Sequence, residues 1–127
     1  MELVQLLKGL ADVTRLRILN LLNQEKLCVC ELEYLLEINQ SNASRHLNKL
    51  WMLKIITNEK KAQWVFYKID KNTLETYPFL KQLLNKELEK DQQFQKDTAK
   101  LKEYKKSGMT CENVKEIMCL KPGSSSN

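Results

Sequence analysis

The chain has 127 residues, 43% hydrophobic and 29% charged, enough for one hydrophobic core and short for two domains. It has no apolar run of about 18 residues, and its start, MELVQLLKGL, lacks a secretory-signal layout; a soluble, cytoplasmic protein without a membrane partner is expected. The formal net charge of +5 is concentrated in one stretch: residues 40–68 carry six Lys/Arg against one acid, Glu59, and the rest of the chain balances to zero. A cationic excess confined to one patch points to a polyanionic partner. In a reducing compartment the four cysteines read as free thiols or metal ligands before they read as disulfides.

Residues 2–9 form a short amphipathic helix ending at Gly9. Asp12 then caps a second helix, VTRLRILNLLN, whose Leu16 and Leu19, with Ile18 or Leu22, give a broad apolar face directed to the core. Cys28 stands where a Ser or Thr would normally cap the third helix, with Glu31 three residues on, as in a capping box. The positive end of a helix favours a thiolate at Cys28. The plainer alternative is that Cys28 and Cys30 are small buried hydrophobes.

Leu32, Leu35 and Leu36 make the buried stripe of this third helix, and Asn39 is a good N-cap for a fourth. The fourth helix has Ala43, Leu47 and Leu50 on one face. Its opposite face holds Gln40, Ser41, Asn42, Ser44, Arg45 and Lys49, polar or cationic groups without a carboxylate. Two short helices joined by a tight turn, the second polar and basic, are a helix-turn-helix pattern.

The stretch IITNEKKAQWVFYKI reads as a β-hairpin supported by Trp64, Phe66 and Tyr67, with Lys60, Lys61 and Gln63 forming a basic tip; its turn lacks the usual Gly. Asn72 can cap a long last helix running from Thr73 to Tyr104, with Pro78 tolerated near its start or kinking it. Leu80, Leu83, Leu84 and Leu88 continue an apolar stripe, and a long helix outside a finished core calls for a partner: a homodimer through the first and last helices. Residues 1–104 are thus expected to be a DNA-binding and dimerisation domain. Residues 105–127 are a tail holding a short helix, CENVKEIMC, with Thr110 as its cap, and a disordered PGSSSN end.

Taken together, LADVTRLRILNLL, CVCEL, NQSNASRHLNKL and WVFYKI resemble the ArsR/SmtB family of metal-responsive winged-helix repressors, over residues 3 to about 90. The resemblance implies a mainly α fold with a small β-hairpin, a winged helix-turn-helix with four helices, two strands and a fifth helix. It implies a repressor of operator DNA, not an enzyme; Cys28 with His46 has no acid orienter or oxyanion loop beside it. By position, Gln40, Ser41, Asn42, Ser44, Arg45 and His46 correspond to the DNA-reading helix and Lys60, Lys61 and Gln63 to the wing; Lys49, on the same polar face, is expected to join them at the DNA.

The Cys28-Val29-Cys30 pair resembles the inducer site of the arsenite- and antimonite-sensing branch, and a related branch senses cadmium and lead. No obligatory cofactor is implied. The arsenite branch often has a third cysteine where this chain has Glu33, and the cadmium branch draws cysteines from an N-terminal extension that is missing here. Cys111 or Cys119 could supply a third sulfur, or both could be bystander thiols. On one helix they lie about 12 Å apart along the axis, too far for one ion.

Soft thiolates select soft ions. Residues two apart on a helix point about 200° from each other, so chelation by Cys28 and Cys30 is expected to unwind the first turn of the third helix and release DNA. A thiol-based redox sensor is the alternative from another class.

Overall fold

The computed structural model describes residues 1–120, with side chains through Ile117. The first helix, α1 (Glu2–Leu10), runs one residue past Gly9. Gly9 is there for close approach and does not end the helix: a Cβ on it would lie 2.1 Å from Leu53 Cδ1. Helix α2 (Val13–Leu22) starts at Asp12, whose carboxylate accepts from the Arg15 N–H at 3.0 Å, as its cap chemistry predicts.

Two residues, Leu27–Cys28, then form a short strand, β1, which the sequence reading omitted. A two-residue strand has no periodicity to read. Helix α3 (Val29–Leu36) follows at once and ends at Glu37 in the left-handed region (φ 55°). Helix α4 (Gln40–Met52) begins at Asn39, whose side chain accepts from the Asn42 N–H at 2.8 Å. Ala43, Leu47 and Leu50 of α4 and Leu32, Leu35 and Leu36 of α3 are all buried, and the two helices pack together, which fixes the helix-turn-helix corner.

Strands β2 (Ile56–Lys61) and β3 (Trp64–Ile69) make the expected hairpin, with Lys61 opposite Trp64 across a two-residue turn. Ala62 takes the left-handed conformation (φ 56°) that a glycine would supply more cheaply. Strand β1 pairs antiparallel with β3, Leu27 opposite Tyr67 and Cys28 opposite Phe66, giving the sheet order β1-β3-β2.

The long last helix is broken into pieces. Asp70, not Asn72, caps its first segment, α5 (Lys71–Thr76), by accepting from the Asn72 N–H at 2.9 Å. Tyr77, held extended before a proline (φ −124°, ψ 80°), ends α5, and Pro78 opens α6 (Pro78–Gln82) at the position where a missing N–H costs nothing. A π-turn over Leu83–Glu87 and a 3-10 turn over Leu88–Lys90 lead to Asp91. Its backbone is extended, and its carboxylate caps α7 (Gln92–Lys106) by accepting from the Gln93 N–H at 2.8 Å.

Helix α7 docks on α2 through a paired and hydrogen-bonded contact. Arg17 donates to both Asp97 oxygens, at 2.8 and 3.0 Å, and Asn20 donates to the Phe94 carbonyl and to Thr98. The tail helix α8 (Cys111–Leu120) packs against α3, with Val114 fully buried in the common core. Its start is fixed by Asn113, whose carbonyl oxygen accepts from the Thr110 N–H at 3.0 Å. The PGSSSN end lies outside the described residues, as does the side chain of Cys119. Among the described residues no helix is long and apolar enough to cross a membrane.

Candidate functional site

The exposed side of α4 presents Gln40, Ser41, Asn42, Ser44, Arg45 and Lys49 to solvent. Arg45 donates to the Asn42 carbonyl oxygen at 3.0 Å, which holds the guanidinium along the helix. Asn48 is exposed one turn beyond Ser44 on the same side and belongs with this set; its i+4 spacing from Ser44 was the signal for it. His46 does not. It is buried at 6% exposure, with Nδ1 3.2 Å from an Arg15 nitrogen and 4.0 Å from Asp12. Its position in the middle of α4 turns it toward α2, so it orients the helix rather than facing a ligand.

Lys60, Lys61 and Gln63 are exposed at the hairpin tip. Strand alternation divides the two lysines between faces. Asn58 and Lys60 share a face with Tyr67 and Val65, and Asn58 and Tyr67 line a cleft with Ser44, Asn48 and Trp51 of α4. Glu59 and Lys61 share the other face with Phe66 and Trp64, on the side of α8. Glu59 is engaged by Lys26 at 2.8 Å and Lys68 at 3.9 Å, which lower its pKa, the Lys26 hydrogen bond first. Among the described residues no carboxylate forms an ion pair with Arg45, Lys49, Lys60 or Lys61.

The second group of chemically capable residues is a buried thiol cluster at the start of α3. Cys28 is the N-cap, with extended backbone (φ −87°, ψ 170°), so it lies just outside the helix while Cys30 lies inside. The Cys28 Sγ is 2.9 Å from the Cys111 Sγ, well beyond a disulfide bond of about 2.05 Å. Cys111 donates to the Glu31 carboxylate at 3.3 Å, and the same carboxylate accepts from the Cys28 N–H at 3.0 Å and from the Tyr104 hydroxyl. The ligand atoms of Cys28, Glu31 and Cys111 all lie within 4.8 Å of one another.

A carboxylate 4% exposed is tolerable only when its oxygens are engaged, and Glu31 has three donors. The capping role read from the sequence is therefore one part of what Glu31 does. Glu33, three residues after Cys30, is also buried, and burial raises its pKa.

The thiolate does not fall on Cys28. A hydrogen bond to Cys30, then burial, then a hydrogen bond to Cys111 all hold the proton on Cys28 and raise its pKa. The Cys28 bond in turn lowers that of Cys30, the half-exposed member of the pair. Burial first raises the Cys111 thiol, to about 11. The thiol that is eased toward ionisation is thus Cys30, by its bond to Cys28 and by the Lys115 charge, and not the cap residue. Cys111, at 5% exposure, is no exposed bystander. What the sequence could not supply was its neighbour, which lies 83 residues away.

This architecture has relatives. Residues 12–57 match the family described as "Bacterial regulatory protein, arsR family". The chain is 46% identical over 63 residues to the arsenic resistance transcriptional regulator ArsR1 of Pseudomonas putida, covering 49% of each chain. It is 35% identical over 71 residues to the cadmium resistance regulatory protein CadC homolog of Staphylococcus aureus, covering 55% of this chain and 59% of that one. These matches span only about half to three fifths of the curated relatives' length. Among solved structures, HlyU from Vibrio cholerae, a protein named as a transcriptional activator, superposes with a TM-score of 0.52 at 34% identity, over 61% of this chain and 92% of that one. The helix-turn-helix corner, the hairpin wing and these similarities together establish that the chain belongs to the arsR family of bacterial regulatory proteins.

Proposed function

We propose that the protein is a transcriptional repressor whose homodimer binds operator DNA and is released when arsenite or antimonite binds the thiols of Cys28 and Cys30. The observation that carries this reading is the pair of free thiols at the start of α3, Cys28 buried and Cys30 half-buried, on the helix that supports α4. Residues 1–104 would carry DNA binding and dimerisation. Gln40, Ser41, Asn42, Ser44, Arg45 and Lys49 would face the major groove, with Lys60, Lys61 and Gln63 on the backbone beside it. Dimerisation would use α1 and the first part of the broken last helix, where Leu7 and Phe79 are exposed at an apolar groove and Leu3 and Val4 are exposed on the same helix α1.

The route from ion to DNA differs from simple unwinding. Cys28 already lies outside α3, so its sulfur can join that of Cys30 without melting a full helical turn. An ion there would fix the junction of β1 and α3, and β1 is paired with the wing strand β3. The wing and α4 would then be held in an arrangement that does not fit two half-sites together. A coupling of a few kcal/mol, at the upper end of about 1–3, shifts occupancy by about two orders of magnitude.

The similarity to a cadmium regulator keeps cadmium and lead as alternative inducers. The 2.9 Å approach of Cys28 to Cys111 supports a second reading, a redox regulator in which peroxide oxidises the two thiols to a disulfide and is itself reduced to water.

Fluorescence anisotropy of labelled operator DNA under reducing conditions tests both. Cys28→Ser and Cys30→Ser should retain operator affinity within a few-fold and lose release by arsenite and antimonite, because serine does not bind a soft metalloid. Normal release in both variants would sink the inducer-site reading. Release of the parent by peroxide and by no ion would transfer the function to the redox reading.

A further inference from the structure

We propose that Cys111 is the third sulfur of the inducer site, that the site is built for a trivalent, three-coordinate metalloid, and that α8 reports its capture to the wing. This rests on the reading of Cys28 and Cys30 given above. Two sulfurs bound to one centre by bonds of about 2.3 Å lie about 4 Å apart. The Cys28–Cys111 pair, at 2.9 Å, is already inside that range. Cys111 is held there, since Asn113 fixes the start of α8 and Val114 locks α8 on α3. Cys119 lies eight residues on, about 12 Å further along the same helix axis.

Three thiols match the chemistry of arsenite. Each S–H displaces one hydroxide from arsenic: three As–S bonds form, three As–O bonds break, the three thiol protons leave in three waters, and no electron is transferred. A site of two sulfurs would leave one hydroxide on arsenic in a buried pocket. Cys30 is hydrogen-bonded to Cys28 but stands outside the cluster of Cys28, Glu31 and Cys111, so capture has to close the gap between Cys30 and Cys111.

The helix that carries Cys111 also touches the hairpin. Thr110, Cys111 and Glu112 line a cleft with Lys61, Trp64 and Phe66, and the Lys115 ammonium lies 5.7 Å from the centre of the Trp64 ring. Drawing Cys111 toward Cys30 therefore shifts the start of α8 against the inner face of the wing. The opposite side of the site reaches the same strand, because Cys28 is paired with Phe66. Ion capture is thus read at β3 from two directions.

The test pairs two arsenicals on the full chain. Arsenite has three exchangeable positions, whereas phenylarsine oxide, hydrated, has two and needs only Cys28 and Cys30. In Cys111→Ser the arsenite concentration for half-release of labelled operator, normalised to that variant's own DNA affinity, should rise by about tenfold or more, since even outer partners of a metal site are worth that much. The phenylarsine oxide response should stay at the parent value.

The second readout is the emission of Trp64 without DNA, in a Trp51→Phe background. Arsenite should change it, and should not once Cys111 is also replaced. Coincident arsenite curves for parent and Cys111→Ser would overturn the third-sulfur assignment while leaving the Cys28/Cys30 reading intact. Release of DNA with unchanged Trp64 emission would overturn the report to the wing. A parent that binds neither arsenical would instead refute the reading on which both depend.

Discussion

The division of Lys60 and Lys61 between the two faces of β2 yields a quantitative prediction for DNA binding. Lys60 shares its face with Asn58, which borders α4 across a common cleft, whereas Lys61 faces the cleft beside α8. If α4 lies in a groove, the Lys60 ammonium is the one directed at the adjoining phosphates. Each phosphate neutralised contributes about −0.9 to the slope of log K against log salt, so Lys60→Ala in both subunits of a dimer should flatten the slope by about 1.8. Over a fourfold rise in salt, from about 50 to 200 mM, that reduces the affinity gap between parent and variant by about twelvefold. Lys61→Ala should flatten the slope by less than half as much. The assay is operator anisotropy repeated at four or five salt concentrations, with a scrambled duplex alongside. Lys60 should weaken both duplexes alike, because a phosphate contact carries no sequence. Equal slopes for the two single variants would refute the assignment of faces, and loss of affinity confined to the operator would show that the wing reads bases.

Arg17→Ala should destabilise the fold by about 3–5 kcal/mol, because it leaves the Asp97 carboxylate, with 5% side-chain exposure, without its charge partner; denaturant melts check this, and Arg17→Met with Asp97→Leu should recover most of the loss. Burial lowers the His46 pKa below its ordinary 6.5, so folding favours the neutral ring. Its contribution is complete above about pH 6.5 and is lost as pH falls through the lower folded value, so His46→Gln should flatten the acid limb of a stability–pH curve. Leu7→Asp should shift the protein toward monomer in sedimentation and weaken operator binding, because it places a charge at the rim of the apolar groove between α1 and α6.

Local chemistry was legible wherever one residue answers a neighbour's need. Asp12 and Asn39 cap α2 and α4 because each offers an oxygen to an unpaired amide three residues on, and no distant contact alters that. The stretch from Thr73 to Tyr104 reads as one continuous helix, but the sequence does hold a sign of its break, one of phase. Leu80, Leu84 and Leu88 keep helical spacing, but Phe94 follows Leu88 by six residues, which on a continuous helix would set the two about 120° apart around the axis. Both are buried, and the extended backbone at Asp91 resets the phase that allows it.

The thiol cluster had no such local sign. The 200° argument treated Cys28 and Cys30 as two helical residues, whereas Cys28 is also the last residue of β1, placed by its pairing with Phe66. Its other neighbour, Cys111, arrives only because Val114 needs burial against α3. An apolar residue three positions beyond a cysteine says that the two share a helical face, so if one is buried the other is carried in with it. Deleting the tail would for the same reason uncover α3 as well as remove a sulfur, and a single-atom change at Cys111 separates the two effects where truncation cannot.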